Sequence, residues 1–308
     1  MDNPEFTNRN KLRHRAGRIK STIQEHWFAY LFLAPLLTYL IALLWVPFFQ
    51  GIWMSFHNWP FFGPKTWVGF KNYNYIFSWA PFYASLKATF AYLSITVIQL
   101  ALALIASLSL ANLKLSSKLD SIVNGIFLIP YTMPPVVTGA LWLLLLNPLY
   151  GPIFKPLLNL GILNEPFFWA NNGTTAMAGI VAVGGWTFWP FMFLVIHAAR
   201  ESIPAEYYES AEMYGANKLQ TFRHITFPQI KSAILVAVSI RVVWNLAKVS
   251  QPLQMTEGGP GYSTSMLAVL LYRFAFDRGQ LGLAYIVGIV LFLISLLAVL
   301  IFLRANEE

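Results

Sequence analysis

Arg241, Trp244, Asn245 and Lys248 recur at i, i+3, i+4 and i+7 inside a long apolar run, and Gln251 follows them. Helical periodicity puts the first four on one face. A charge in such a run is costly in lipid, and it faces a protein interior or an aqueous cavity. A cation, an amide and an indole together offer hydrogen bonds to hydroxyls and a flat ring for a C–H face, which is what a sugar-sized polyol requires. The same residues serve equally well for hydrogen bonding between helices of a complex. A second apolar run carries Trp186 and Trp189 beside Gly184, Gly185 and Pro190. Trp favours membrane interfaces, so two deep in a run read either as the wall of a cavity or as a subunit contact that the glycines make close. Trp186, Trp189, Arg241, Trp244, Asn245 and Gln251 are therefore candidates for the border of a solute pathway.

Residues that make and break bonds are harder to assemble. There is no Gly-Lys dipeptide, hence no phosphate-binding P-loop, and no His-Glu-x-x-His or Gly-x-Ser-x-Gly. The five histidines, at 14, 26, 57, 197 and 224, have no ligand spacing, and there is no Cys. No catalytic residue, metal site or cofactor is expected in this chain. Asn172-Gly173-Thr174 fits a glycan acceptor, a tripeptide common by chance.

The elements that must position these side chains are set by composition. Of 308 residues 57% are hydrophobic and 11% charged, against about 25% charged in soluble domains. Lipid as solvent accommodates that balance, in spans of about 20 apolar residues. The net charge of +8 does not point to nucleic acid, because Lys and Arg sit at the ends of apolar runs instead of clustering. Residues 1–27 form a basic N-terminal segment, and 28–308 read as one transmembrane domain. Six spans are expected, at roughly Phe28–Phe49, Leu86–Leu110, Ile122–Leu146, Ala176–Ala199, Ser232–Ser250 and Gly282–Leu303. The first has no small-x-small cleavage site after it and reads as a retained span. The third is interrupted by Pro130, Pro134 and Pro135, whose missing donors leave carbonyls to be satisfied in protein or water. Met266–Phe276 is too short to cross and reads as re-entrant or interfacial. Alternate loops divide 13 Lys and Arg against 5. That asymmetry predicts a multi-pass protein of the cell (plasma or inner) membrane with both termini and the loop at about 200–230 in the cytoplasm.

That loop is a polar patch of about 30 residues between two apolar spans, with a helix–glycine–helix pattern. Pro204 suits a first helical turn and Glu206 the positive end of a helix dipole. The helix is predicted to run to about Tyr214, with Gly215-Ala216 as the break. A second amphipathic stretch reaches Phe227, and Pro228 leads into the fifth span. Periodicity alone is equally consistent with a generic helical hairpin.

Glu209-Ser210-Ala211, Gly215 and Ile225-Thr226-Phe227-Pro228 resemble the cytoplasmic loop of permease subunits of ATP-binding-cassette importers. That family's pattern is Glu-Ala-Ala, three residues, Gly, nine residues, Ile-x-Leu-Pro. Ser210 and Phe227 depart from it mildly, and Tyr214 stands where an Asp is common. Val68-Gly69-Phe70-Lys71-Asn72-Tyr73, Leu128-Ile129-Pro130 with Met133-Pro134-Pro135-Val136-Val137, Asn147-Pro148-Leu149-Tyr150-Gly151 and Met255-Thr256-Glu257-Gly258-Gly259-Pro260 are similar to segments of the carbohydrate branch, in the maltose-permease-like group.

The resemblance implies an all-α membrane protein with the type I importer transmembrane fold. It implies a pathway shared with a second permease subunit, expected to be unlike. Two cytoplasmic ATPase subunits would bind the ATP and magnesium, and an extracytoplasmic sugar-binding protein would deliver solute. Glu209, Ser210, Ala211, Gly215 and Ala216 would couple this chain to the ATPase. The rivals are an ion-gradient transporter, which calls for intramembrane carboxylates and an internal repeat, an intramembrane enzyme, and an exporter fused to its ATPase. No Asp or Glu lies well inside a span, against the first.

Overall fold

The computed structural model describes residues 26–113 and 116–307. The basic residues from Arg9 to Lys20, and Lys114, which carry part of the charge asymmetry, lie outside the described residues. The chain divides into two units, residues 1–54 and 55–308.

In the first unit α1 runs over Trp27–Ser55. Pro47 has no N–H to give to Leu43, and its ring would press on that carbonyl. The turn before it is a π turn, Ile41–Trp45, in which the Val46 N–H bonds to Ile41 O. The wider turn accommodates the proline without ending the helix.

In the second unit a short antiparallel hairpin, β1 (His57–Asn58) and β2 (Thr66–Trp67), precedes α2 (Lys71–Ser78). The Asn72 side chain donates to the carbonyls of Ser55 and His57, and Tyr73 Oη lies 2.7 Å from Ser55 Oγ. These bonds fix the hairpin against α2. Then come α3 (Ala80–Leu110), α4 (Ser117–Thr132), α5 (Pro135–Leu145), α6 (Phe154–Asn159) and α7 (Gly173–Glu201). They are followed by α8 (Ala205–Met213), α9 (Lys218–Leu246), α10 (Ser250–Thr256), α11 (Leu267–Tyr272) and α12 (Leu281–Glu307).

Among the described residues five helices are long and apolar enough to cross a membrane, and α4 with α5 makes a sixth if the pair counts as one span. Counted that way, the six expected spans have their helices, with two corrections. The third is two helices bent by 93°. Met133 and Pro134 are extended (ψ 132° and 135°), because a residue before proline is pushed out of the helical region. Pro130, in contrast, is carried inside α4. The fifth helix begins at Lys218 and not near Ser232, and it ends at Leu246. Pro228 does not interrupt it, because a second π turn, Phe222–Thr226, precedes the proline as in α1. Gln251 consequently lies on the separate helix α10. As expected from its length, α11 is not long enough to span, and it packs inside the second unit. Leu267 and Leu270 are buried with Ile76, Phe82 and Ile286, Val269 is buried with Tyr92 and Ile180, and Thr89 Oγ1 accepts the Leu267 N–H at 2.9 Å.

α7 lies at the centre of this unit, with Ile180, Met192, Phe193 and Ile196 fully buried. Gly184 and Gly185 let it approach α3. A Cβ on Gly184 would stand 2.5 Å from Ile95 Cδ1, and one on Gly185 2.9 Å from Ile98 Cγ2. The close approach expected of these glycines is made within the chain.

Candidate functional site

Two clusters stand out. The first is the polar loop between α7 and α9. Ile203 is buried in the apolar cluster around Phe193 and Ile230, and Pro204 caps the start of α8. Tyr208 and Ala211, one turn apart, face inward. Ala211 is buried, and Tyr208 Oη lies 3.2 Å from Thr226 Oγ1 at the foot of α9. Glu206, Glu209 and Ser210 are exposed.

The helix ends as a Schellman motif. The Ala216 N–H bonds to Ala211 O and the Gly215 N–H to Glu212 O, with Gly215 at φ +70°. Two residues on, Asn217 and Gln220 form a reciprocal capping box that starts α9. Stop, turn and restart therefore occupy Tyr214 to Asn217. Of the residues singled out in this loop, Glu209, Ser210 and Gly215 lie outward, Ala216 is half-buried, and Ala211 packs inward. Sequence reasoning missed Met213 and Tyr214, which are 89% and 90% exposed at the tip. An apolar pair so exposed, next to a rim of glutamates, marks a contact surface.

The second cluster ties α3, α7 and α9 together. Arg241 and Asn245 are each 1% exposed. Arg241 Nε donates to Gln99 Oε1 at 3.1 Å, and Nη2 donates to Asn245 Oδ1 at 2.8 Å. Asn245 Nδ2 donates to Thr96 Oγ1 at 3.0 Å and to Gln99 Oε1 at 3.3 Å. Gln99 Nε2 reaches Gly184 O at 3.5 Å, the long end of the range. Gln251 joins from α10, donating to Thr187 Oγ1 at 3.1 Å.

Arg241 and Asn245 thus have the helix-to-helix role allowed for them, and their partners Gln99 and Thr96 were not anticipated. A glutamine and a threonine at i and i+3 in an apolar helix were the available signal.

Beside this network lies an aromatic face. Trp244, 43% exposed, meets Phe191 at 4.9 Å between ring centres. The Arg241 guanidinium stands 5.0 Å from the Phe188 ring centre, and the Lys248 Nζ 4.0 Å from the same ring. Lys248 lies beyond the end of α9, so it joins the cluster through the ring and not through helical register. Trp186 is apart from it, edge-on to Trp142 at 5.3 Å. Trp189 is buried against Phe127 and Phe193. The structure therefore brings Arg241, Trp244, Asn245 and Lys248 together with Phe188 and Phe191, and leaves Trp186, Trp189 and Gln251 outside that group, the last two buried beside it. A half-buried lysine beside the exposed Trp244 ring can hold a hydroxylated or charged small solute.

A third grouping lies where α7 meets α3. Ser107 Oγ, His197 and Glu201 follow one another at 3.4 Å and 3.4 Å. These spacings exceed those of an activated hydroxyl, and Ser107 is 1% exposed. Asn172 Oδ1 accepts the Thr174 N–H and caps α7.

Comparison with known proteins agrees with this geometry. Residues 99–307 match the family described as binding-protein-dependent transport system inner membrane component. A probable ABC transporter permease protein, YurN of Bacillus subtilis, is 31% identical over 269 residues, 87% of this chain and 91% of the relative. The trehalose/maltose transport system permease protein MalF of Thermococcus litoralis is 29% identical over 302 residues, 97% of each chain. The fold is similar to a chain of a bacterial alginate ABC transporter crystallised with an alginate pentasaccharide-bound periplasmic protein. That TM-score is 0.76, at 22% identity, covering 92% of this chain and 96% of the other.

Proposed function

The chain belongs to the family of binding-protein-dependent transport system inner membrane components, and from that premise we propose that it is a permease subunit for ATP-driven import of a sugar or oligosaccharide. The observation that carries the proposal is the loop between α7 and α9, an inward-anchored helix with an exposed apolar tip and a built-in glycine turn. The relative named for a trehalose/maltose system supports the sugar class. The aromatic face around Trp244 suits a pyranose ring.

In this reading the pathway lies between this chain and a second, unlike permease subunit. The loop and both termini face the cytoplasm. Glu209, Ser210, Met213 and Tyr214 meet the ATPase subunits, which bind ATP and magnesium. Ala211, Gly215 and Ala216 shape the element that docks. An extracytoplasmic binding protein delivers the sugar. Residues 28–308 act as one permease domain behind the basic segment 1–27. An ion-gradient mechanism finds no support here, because no carboxylate lies inside the long apolar helices.

The test is ATP hydrolysis by the purified complex in lipid, with and without sugar-loaded binding protein. Stimulation that Gly215→Trp abolishes supports the reading. Hydrolysis indifferent to both the binding protein and the substitution removes it.

A further inference from the structure

Arg241 and Lys248 stand against one ring, and the described residues supply no carboxylate to either. The ion pairs among those residues are His197–Glu201 and Arg273–Asp277, neither at this site. The sequence explains why. No Asp or Glu occurs between 26 and 119, between 166 and 200, or between 213 and 256. The helices that build the cluster, α3, α7 and α9, therefore have no anion to give within those limits. Glu257 and Asp277, the next downstream, line a different cleft of about 520 Å³ together with Arg273.

The Arg241 bonds described above end on amide oxygens, which fix the guanidinium without cancelling its charge. Two cations packed on the same ring in a low-dielectric setting repel, and each is costly without a counter-charge. A neutral polyol would need the amides and the rings but neither of these charges.

We propose that the solute of this importer is an acidic saccharide, whose carboxylate or sulfonate pairs with Lys248 in the field of Arg241 and supplies the missing negative charge. The proposal rests on the sugar-import reading above. Lys248 is half-buried and able to touch the solute. Arg241, 1% exposed, acts through its field, held in place by Gln99 and Asn245. The exposed ring of Trp244, with Phe191 behind it, takes the apolar face of the sugar.

The experiment uses cells carrying the complete importer and a control lacking this chain. Both are given a defined mixture of mono- to pentasaccharides in matched neutral, uronic-acid and sulfonated forms. Mass spectrometry of the medium reads what is depleted. Depletion of an acidic member, with its uptake efficiency falling at least tenfold in Lys248→Gln and largely kept in Lys248→Arg, supports the proposal and shows which anion is carried. Depletion of neutral members alone overturns it and leaves a carboxylate of the second permease subunit as the neutralising group. If Lys248→Gln fails to assemble, the charge preference of the wild-type complex still decides. Loss of no saccharide at all overturns the sugar-import reading itself, a failure distinct from uptake of neutral sugars only.

Discussion

At Gly215 the backbone takes φ +70°, and nothing lies within 4 Å of where a Cβ would stand. Its role is conformational, since it closes the Schellman turn that aims Met213 and Tyr214 outward. A β-branched residue there costs about 1–2 kcal/mol of local strain, while Asn tolerates the left-handed region. Gly215→Asn is expected to keep most of the binding-protein-stimulated ATPase activity and Gly215→Val to lose it, in complexes that assemble equally. At Gln99 the expected effect is on stability. Gln99→Leu leaves Arg241 Nε and one Asn245 bond without their acceptor, at about 1–2 kcal/mol, and should lower the thermal unfolding midpoint of the detergent-solubilised complex. The two sites differ in how far the sequence revealed them. The turn at 215–216 and the clustering of Arg241 with Asn245 followed from glycine chemistry and helical spacing. That the partners would be Gln99 and Thr96, nearly 150 positions away, depended on which face of α3 meets α9, and periodicity does not encode that choice.

Among the elements, the two long helices with π turns show where local rules were overridden. Pro228 reads as a boundary because proline interrupts α-helical bonding, yet an i to i+5 bond from Phe227 to Phe222 carries the chain past it. The turn segments were more legible. Asn147 Oδ1 accepts the N–H groups of Leu149 and Tyr150, and a Cβ on Gly151 would stand 2.5 Å from Asn147 O. The Asn-Pro-x-x-Gly segment is thus a turn device whose residues are dictated by backbone geometry. Packing of α7 on α3 is equally strict. Gly184→Leu would drive side-chain atoms into Ile95 and Tyr92, an overpacking cost of about 1–3 kcal/mol, and should reduce the yield of folded complex on gel filtration. The exposed tip of α8 is the opposite case. Met213→Ser with Tyr214→Ser removes only solvent-facing groups, so the unfolding midpoint should stay put while co-purification of the ATPase subunits falls.

For the whole molecule, the proposed function implies a division of labour in which this chain carries solute contacts and a docking loop, while the energy source lies on other subunits. If so, stimulated hydrolysis and uptake should respond separately. Tip variants should lose both, whereas Trp244→Ala should reduce uptake efficiency several-fold and leave basal hydrolysis unchanged, as measured in proteoliposomes. The continuity of α9 adds a mechanical consequence. One helix starts beside the tip at Lys218, passes the π turn without a hinge, and reaches Arg241, where Gln99 grips it. At the rise of an α-helix those two points are about 35 Å apart, so a tilt of about 5° around the grip swings the far end by about 3 Å. Such a rod is a lever with its fulcrum beside the load. On the proposed reading, a modest stroke at the loop end turns into a small, forceful rotation of Trp244, carried through the π turn at Phe222–Thr226 by an unbroken helix.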